Sequence, residues 1–312
     1  MRALRHGLAI LVVLAVLAPP AQAAFPGRNG AVGYAFSTNS GGDVGPQFQT
    51  SGLQAERVGI QRERVIVRCE RTDDVPTGGD CTVTQFFSPS YSANGRRIVF
   101  DAGERLGLIG AGGGAITLLP AVTADDGDPA FSPDGRRIVF TGTNDSGGTD
   151  VFVHRLGSMF ARAIVTDARQ PAWSSRNRIA YVREGNVYVA NRKGQRRRLV
   201  TSGVAPDWSP GGGRLVFVRP APRNTVAADI GRVFTIGVRG HGLRRAVPRV
   251  DDGSNPIWSP NGRWIAFEDA FSGVWAHRLG SREPVDVQES QVGSEGGANN
   301  YFDPAWRPLP RR

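Results

Sequence analysis

Histidines are the first candidates for chemistry in this sequence, because imidazole can serve both in acid–base catalysis and as a metal ligand. After the first 23 residues there are three: His154, His241 and His277. His154 and His277 occupy the same place in two similar segments, VFVHRLGS and VWAHRLGS, that lie far apart in the chain. We interpret both as turn residues too distant to share a metal ion, whose ligands lie about 2 Å from it. The sequence therefore predicts no metal site and no cofactor.

Motifs of hydrolytic or nucleotide chemistry are absent from the sequence. It has no Gly-x-Ser-x-Gly elbow, no HExxH zinc motif, no P-loop and no dinucleotide-binding fingerprint. Adjacent acids occur at 73–74, 125–126 and 251–252, but such pairs are typical of solvated loops. We therefore predict no catalytic residues.

Polar residues that each precede a proline are better candidates for a binding site. They are Asp128, Gln170, Asn255 and Asp303. Two carboxylates and two amides could converge on a cation or on a polar segment of a partner. The alternative is that these are turn-prone positions at the starts of strands, where polar residues before proline are common.

The elements that position these residues are internal repeats. The segment FSPDGRRIVF at 131–140 recurs with variations, and its leading aromatic residue returns every 35 to 50 residues. These aromatic residues are Tyr91, Phe131, Trp173, Trp208, Trp258 and Trp306. In each unit the aromatic ends a strand, Ser-Pro-Asp-Gly forms a type I turn, and alternating apolar residues form the next strand. We predict an all-β, six-bladed β-propeller of four-stranded blades, with the residues before proline around one mouth of its channel.

The two ends of the repeat array complement each other. Residues 25–30 resemble the turn, and 31–36 resemble the second strand, but the aromatic first strand is missing there. It occurs alone at the C-terminus, around Trp306. We therefore predict one domain over 24–312 whose first blade is completed by 303–309, closing the ring and removing sheet edges. The excess length of this blade, between 41 and 80, predicts an elaborated hairpin or a surface loop.

Residues 1–23 have the pattern of a secretory signal peptide. Arg2 and Arg5 precede an apolar segment, which ends in the small-residue site Ala21-Gln22-Ala23. We predict cleavage after Ala23 and an extracellular, periplasmic or envelope location, with no later transmembrane segment; an uncleaved anchor is the alternative. An oxidising compartment favours a disulfide between Cys69 and Cys81 over two free thiols.

Positive charge dominates the composition. The net charge is +10, and loss of Arg2 and Arg5 with the leader takes it to +8. The basic segments fall in glycine turns and outer strands rather than on a surface interleaved with aromatic residues, so we predict no nucleic-acid partner. Blade topology instead predicts one basic face and one acidic face around the channel mouth, with an anionic envelope polymer as a partner of the basic face.

The repeat resembles the WD40-like repeat of the TolB family. The similar segments are Pro129-Ala130-Phe131-Ser132-Pro133-Asp134-Gly135, Pro206-Asp207-Trp208-Ser209-Pro210 and Pro256-Ile257-Trp258-Ser259-Pro260-Asn261-Gly262. The resemblance implies a propeller without TolB's additional N-terminal α/β domain, because the repeats begin directly after the leader. It favours a monomeric, non-enzymatic binding or scaffold protein that engages a protein or envelope ligand at the channel face. The alternative is a carbohydrate or lactone hydrolase or lyase with its site at the channel mouth.

Overall fold

A computed structural model describes residues 24–40, 48–58, 60–72, 75–79, 81–220, 229–269, 273–289, 291–292 and 298–310. The predicted leader, 1–23, lies outside these residues, as do parts of the 41–80 segment. All extended regular structure in the described part of the chain is β-strand. Within the same residues, no helix is long and apolar enough to span a bilayer.

Three antiparallel sheets have the predicted order, in which four strands follow one another in sequence. The strands are β5 (Phe87–Tyr91), β6 (Arg97–Asp101), β7 (Leu106–Gly110) and β8 (Thr117–Leu118); β9 (Asp126–Phe131), β10 (Arg137–Thr143), β11 (Thr149–Arg155) and β12 (Ala161–Val165); and β13 (Arg169–Trp173), β14 (Arg178–Arg183), β15 (Asn186–Asn191) and β16 (Arg198–Ser202).

Two further four-strand units are joined into one sheet by the pairing of Gly231 with Gly253. Their strands are β17 (Val204–Trp208), β18 (Arg214–Pro220), β19 (Gly231–Gly237) and β20 (Arg244–Arg245); and β21 (Gly253–Trp258), β22 (Trp264–Asp269), β23 (Gly273–Arg278) and β24 (Val285–Glu289).

The remaining sheet joins the two ends of the chain in the order β25-β26-β1-β2-β3-β4. Its strands are β1 (Arg28–Ser40), β2 (Phe48–Arg57), β3 (Ile60–Thr72), β4 (Val75–Gly79), β25 (Gln291–Val292) and β26 (Ala298–Leu309). The C-terminal strand β26 pairs antiparallel with β1, as predicted. The described part of the 41–80 segment forms long strands that widen this sheet beyond four, so it is a hairpin and not a surface loop. The predicted Cys69–Cys81 disulfide is present, with an S–S distance of 2.02 Å.

The first strand of each unit packs against the first strand of the next. Contacts run from β26 to β5, β9, β13, β17 and β21 in turn, and β21 also contacts β26. This is a propeller-like arrangement in which the inner strands surround a common axis. The aromatic residue that ends each inner strand is buried in the core.

The motif turn forms for the reason that its sequence predicts. Between β9 and β10, the N–H of Gly135 donates to the carbonyl of Ser132, and Gly135 adopts a φ of 63°. The Ser132 hydroxyl accepts the N–H of Arg137, and this bond fixes the start of the second strand. The same bonds recur at Ser92, Ser209 and Ser259.

The turn interpretation of two histidines is wrong. His154 lies in β11 and His277 in β23, and both are buried. The turns begin only beyond them, with Gly157 and Gly280 in the left-handed conformation. Alternation along the strand therefore directs both imidazoles inward, and burial lowers their pKa.

Candidate functional site

The residue before proline in every inner strand has an unusual backbone conformation. All six have positive φ: 50° at Ser88, 57° at Asp128, 53° at Gln170, 48° at Ala205, 47° at Asn255 and 58° at Asp303. Each coincides with a register shift between the first and second strands. An extended conformation is the usual state before proline. In these strands the recurring bulge imposes a positive φ instead. As a result, the polar side chains are directed along the ring of inner strands.

These side chains bind the backbone of the neighbouring unit. The Asp303 Oδ2 atom accepts the N–H of Ser88 at 2.9 Å. The Gln170 Oε1 atom accepts the N–H of Ala205 at 3.0 Å, and Asp128 Oδ2 lies 3.3 Å from the nitrogen of Gln170. In each case, a residue before proline in one unit accepts the N–H of its counterpart in the next. We call this set of bonds the inter-blade belt.

The four predicted site residues form two groups within the belt. In the first group, Thr141 Oγ1 donates to Asp128 Oδ2 at 2.7 Å and accepts the Gln170 N–H at 3.0 Å. In the second, Asn255 Nδ2 lies 3.2 Å from Asp303 Oδ1. The same Nδ2 atom donates to Glu268 Oε2 at 2.8 Å. The belt therefore uses these residues to link neighbouring units.

Carboxylates are concentrated on one side of the ring, in a set that we call the acidic arc: Asp101, Asp128, Glu268 and Asp303. Burial raises the pKa of Asp101 to about 8, of Glu268 to about 7 and of Asp128 to about 6. Burial, followed by the charge of Glu268, raises the pKa of Asp303 well above its ordinary value. Weaker repulsion from Asp128 acts on both Asp101 and Asp303, so these groups share one electrostatic environment.

Two members of the acidic arc were not predicted from the sequence. Asp101 and Glu268 each follow the aromatic residue of a second strand, after Phe100 and Phe267. Thr141, which bonds to Asp128, occupies the same repeat position. The oxygen Oδ2 of Asp101 lies close to Gly127, where a Cβ atom would meet it at 3.0 Å. The sequence signal that could have identified these two residues is a polar side chain at this one position of the aligned repeats.

The opposite side of the ring is apolar. Val182, Val204, Ala205 and Val218 form a buried cluster there. Val182 and Val218 occupy the repeat position that holds Asp101 and Glu268 in other units. The acidic arc, by contrast, offers polar groups to a ligand, since Asp101, Asp128 and Glu268 remain half-buried.

One cation is paired in direct contact with the belt. Arg169 binds Asp229 with two hydrogen bonds, of 3.0 and 3.1 Å, and Gln170 Nε2 lies 3.3 Å from the same carboxylate. Among the described residues, no group of three or more His, Cys, Asp or Glu is arranged to hold a metal ion. The acidic arc can accept hydrogen bonds and attract positive charge.

Hydrogen bonds between turns define two faces of the molecule. On one face, the N–H of Leu156 donates to Arg136, and that of Leu279 donates to Arg263. Exposed cations are numerous on these turns: Arg96, Arg136, Arg155, Arg192, Lys193, Arg239, Arg263 and Arg278. We call this side the basic face.

The opposite turns are joined to each other in the same way, for example by the N–H of Gly203 and the carbonyl of Gly185. Acids predominate there: Asp125, Asp126, Asp128, Asp145, Asp150, Asp167, Glu184, Asp229, Asp251, Asp252, Glu268 and Asp269. We call this side the acidic face, and it carries the acidic arc. Cations therefore predominate on one face and acids on the other, although arginines such as Arg105 and Arg232 also lie on the acidic face.

Comparison with solved structures identifies the fold. No family model matches the chain. Among solved structures, TolB from Acinetobacter baumannii superposes with a TM-score of 0.67 at 16% identity, covering 91% of this chain and 68% of that one. A TolB candidate from Agrobacterium tumefaciens gives a TM-score of 0.62 at 14% identity, covering 88% of this chain and 99% of the other. The chain therefore has the all-β propeller fold of the TolB structures, as its repeats predict.

Proposed function

We propose that this chain is a closed six-bladed propeller that acts, after removal of residues 1–23, as a monomeric, non-enzymatic binding or scaffold protein of the cell envelope. The cyclic contacts of the inner strands support six blades, since each inner strand touches two others. Pairing of β26 with β1 supports closure. The Cys69–Cys81 bridge is consistent with an oxidising compartment outside the cytoplasm.

The ligand is a positively charged, hydrogen-bond-donating segment that enters the mouth at the acidic arc. The observation that carries this proposal is the presence of half-buried carboxyl groups, at Asp101 and Glu268, with which no arginine or lysine of the described residues forms an ion pair and which a bound cation would hold in the ionised form. A carboxylate that is partly removed from water at such a position favours binding of a cationic group. A guanidinium or ammonium group of a partner protein has that chemistry.

The experiment compares two neutralised variants for capture of partners from the native envelope fraction. Asp101→Asn with Glu268→Gln removes two ionisable carboxyl groups from the acidic arc and preserves side-chain shape. Asp145→Asn removes an exposed charge from the same face, outside the arc. We expect the wild type and Asp145→Asn to retain the same partner and the double variant to lose it. Equal capture by all three proteins would contradict the proposal.

The second candidate is a hydrolase or lyase acting on carbohydrates or lactones. The observation that favours it is the raised pKa of Asp101, about 8, since a carboxyl group protonated at neutral pH can act as a general acid. Turnover of a glycoside or lactone that is abolished by Asp101→Asn would support this function. Binding of a partner without turnover supports the scaffold function.

A further inference from the structure

Ala24 and Phe25, the first two residues after the predicted cleavage site, are buried in the propeller. Ala24 is 5% exposed and Phe25 is 3% exposed. Phe25 packs in a buried cluster with Phe131, whereas Ala24 belongs to a different one that contains Trp258. The N–H of Gly27 donates to the carbonyl of Pro260 at 3.1 Å and anchors the segment against the turn between β21 and β22. The two residues after the predicted cleavage site therefore occupy core positions.

A buried carboxylate faces this segment. Asp207 is 0% exposed, and its Oδ2 atom accepts the N–H of Trp258 at 2.7 Å. The backbone N–H groups of Trp208 and Ala24 also act on this carboxylate and lower its pKa. Its Oδ1 atom nevertheless has no partner at hydrogen-bond geometry. No described arginine, lysine or histidine forms an ion pair with Asp207, and burial raises its pKa well above the ordinary value.

This carboxylate is exceptional within the repeats. The residue before the aromatic at the end of each inner strand is Ser90, Ala130, Ala172, Asp207, Ile257 or Ala305. Asp207 is the one charged residue in this series, and it occurs in the unit that meets Ala24. The repeat fold does not itself require a carboxylate there, since the other five units form without one.

We propose that cleavage of the Ala23–Ala24 bond creates an α-ammonium group on Ala24 that forms a buried ion pair with Asp207. Hydrolysis by a signal-peptidase-type protease adds water across the peptide bond. The hydroxyl goes to the carbonyl carbon of Ala23, and the nitrogen of Ala24 becomes an amine that takes up a proton. This inference rests on the leader removal proposed above, but it is independent of the ligand proposed for the acidic arc.

Each group of the pair stabilises the other. A carboxylate buried without a counter-charge is costly, and so is a buried ammonium; together they neutralise each other and gain a charge-assisted hydrogen bond. Before cleavage, the nitrogen of Ala24 is an uncharged amide and Asp207 has no cation. The buried carboxylate of Asp207 therefore gains a counter-charge only in the processed chain.

The test exploits the single lysine of the sequence. In a Lys193→Arg variant, secreted through its own leader, the α-amine is the only primary amine of the processed protein. Mass spectrometry establishes the N-terminal residue, and trace acetylation over a range of pH gives the pKa of its amine. We expect the chain to begin at Ala24 and its amine pKa to lie above the ordinary 7.7–8.0. Each unit of that increase slows acetylation about tenfold at a given pH below the ordinary pKa.

Asp207→Asn, in the same background, should return the amine to ordinary reactivity and lower the thermal midpoint. Asp145→Asn, the matched exposed variant, should change neither. An ordinary amine pKa in the protein that retains Asp207 would overturn the inference even if Asp207→Asn fails to fold. So would a mature chain that begins elsewhere. Asp101→Asn with Glu268→Gln should leave the amine pKa unchanged, so failure of the ligand proposal is distinguishable from failure of this one.

Discussion

The Oδ2 atom of Asp303 lies 2.9 Å from the backbone nitrogen of Ser88, and this hydrogen bond joins the C-terminal strand to the first strand of the next unit. Both residues precede a proline and both are in the left-handed conformation. One side chain therefore links strands that are 215 residues apart in sequence. This bond makes the belt directly testable.

Replacement of Asp303 by alanine should destabilise the protein, because it removes the acceptor of a buried N–H. An unsatisfied buried donor costs about 1–3 kcal/mol. Asp303→Asn is the control, since asparagine tolerates positive φ and retains a carbonyl acceptor. Urea denaturation should give a lower free energy of unfolding for the alanine variant than for the asparagine variant. Equal values for the two would show that the belt bond contributes nothing.

Deletion of residues 301–312 should abolish cooperative folding. The deleted segment contains most of the pairing partner of β1 and the buried Trp306, so its loss exposes a sheet edge and the core. The measurement is the thermal unfolding curve followed by circular dichroism. Removal of 311–312 alone is the control, because β26 ends at Leu309. A long deletion that melts like the full chain would rule out closure by this strand.

The free energy of unfolding should fall as the pH rises from 6.5 to 8.5. Asp101, with a folded-state pKa of about 8, and Glu268, with one of about 7, both hold a proton more tightly in the folded protein. Between the ordinary pKa of an acid and its raised value the folded state binds more protons, so stability decreases with pH. The pKa of His154 and His277 is lowered, and their opposite effect lies below the ordinary value of 6.5. Thermal midpoints of Asp101→Asn should show a shallower dependence than those of the wild type; parallel curves would contradict this assignment.

Reduction of the Cys69–Cys81 bridge should lower the free energy of unfolding by about 3 kcal/mol in the chain-entropy model, because the bridge closes a loop of roughly a dozen residues. A variant with both cysteines replaced by serine should lose the same amount. It should also be insensitive to reductant, which provides the control. Urea titrations with and without reductant test this, and peptide mapping that finds two free thiols in the purified wild type would contradict the pairing.

The basic face should bind an anionic polymer in a salt-dependent manner. Exposed charges are screened within about 8 Å at physiological ionic strength, so retention on immobilised polyphosphate should decrease as salt is added. Arg192→Ala with Lys193→Ala should weaken retention. The control, Arg105→Ala with Arg232→Ala, removes the same charge from the acidic face and should have little effect. Retention that ignores salt, or that falls equally in both variants, would contradict binding by this face.

The repeated strand–turn–strand unit could be predicted from sequence because its signals are local. An aromatic residue such as Phe131 ends one strand, Pro133 and Gly135 determine the turn, and alternating apolar residues give the next strand. The left-handed conformation of Asp128 could not be predicted, since the residue before proline is ordinarily extended and the bulge that reverses this preference depends on the neighbouring strand.

The acidic arc and the environment of Asp207 were not predictable for a different reason. Asp101 and Glu268 become neighbours of the belt only when distant units pack around a common axis. Asp207 could be read from sequence as an ordinary polar residue near a turn. Its burial, and its proximity to Ala24, depend on the position of the N-terminal segment within the core.

The pairing of β1 with β26 also determines when the protein can finish folding. These two strands are separated by more than 250 residues in sequence, so their contact cannot form until β26 has been synthesised. Until then, β1 presents an unpaired edge that can join another chain. Closure of so long a loop is also slow relative to formation of each local hairpin. We therefore expect the rate-limiting step of folding to be docking of the last strand, and the nascent chain to depend on protection of its first sheet throughout synthesis.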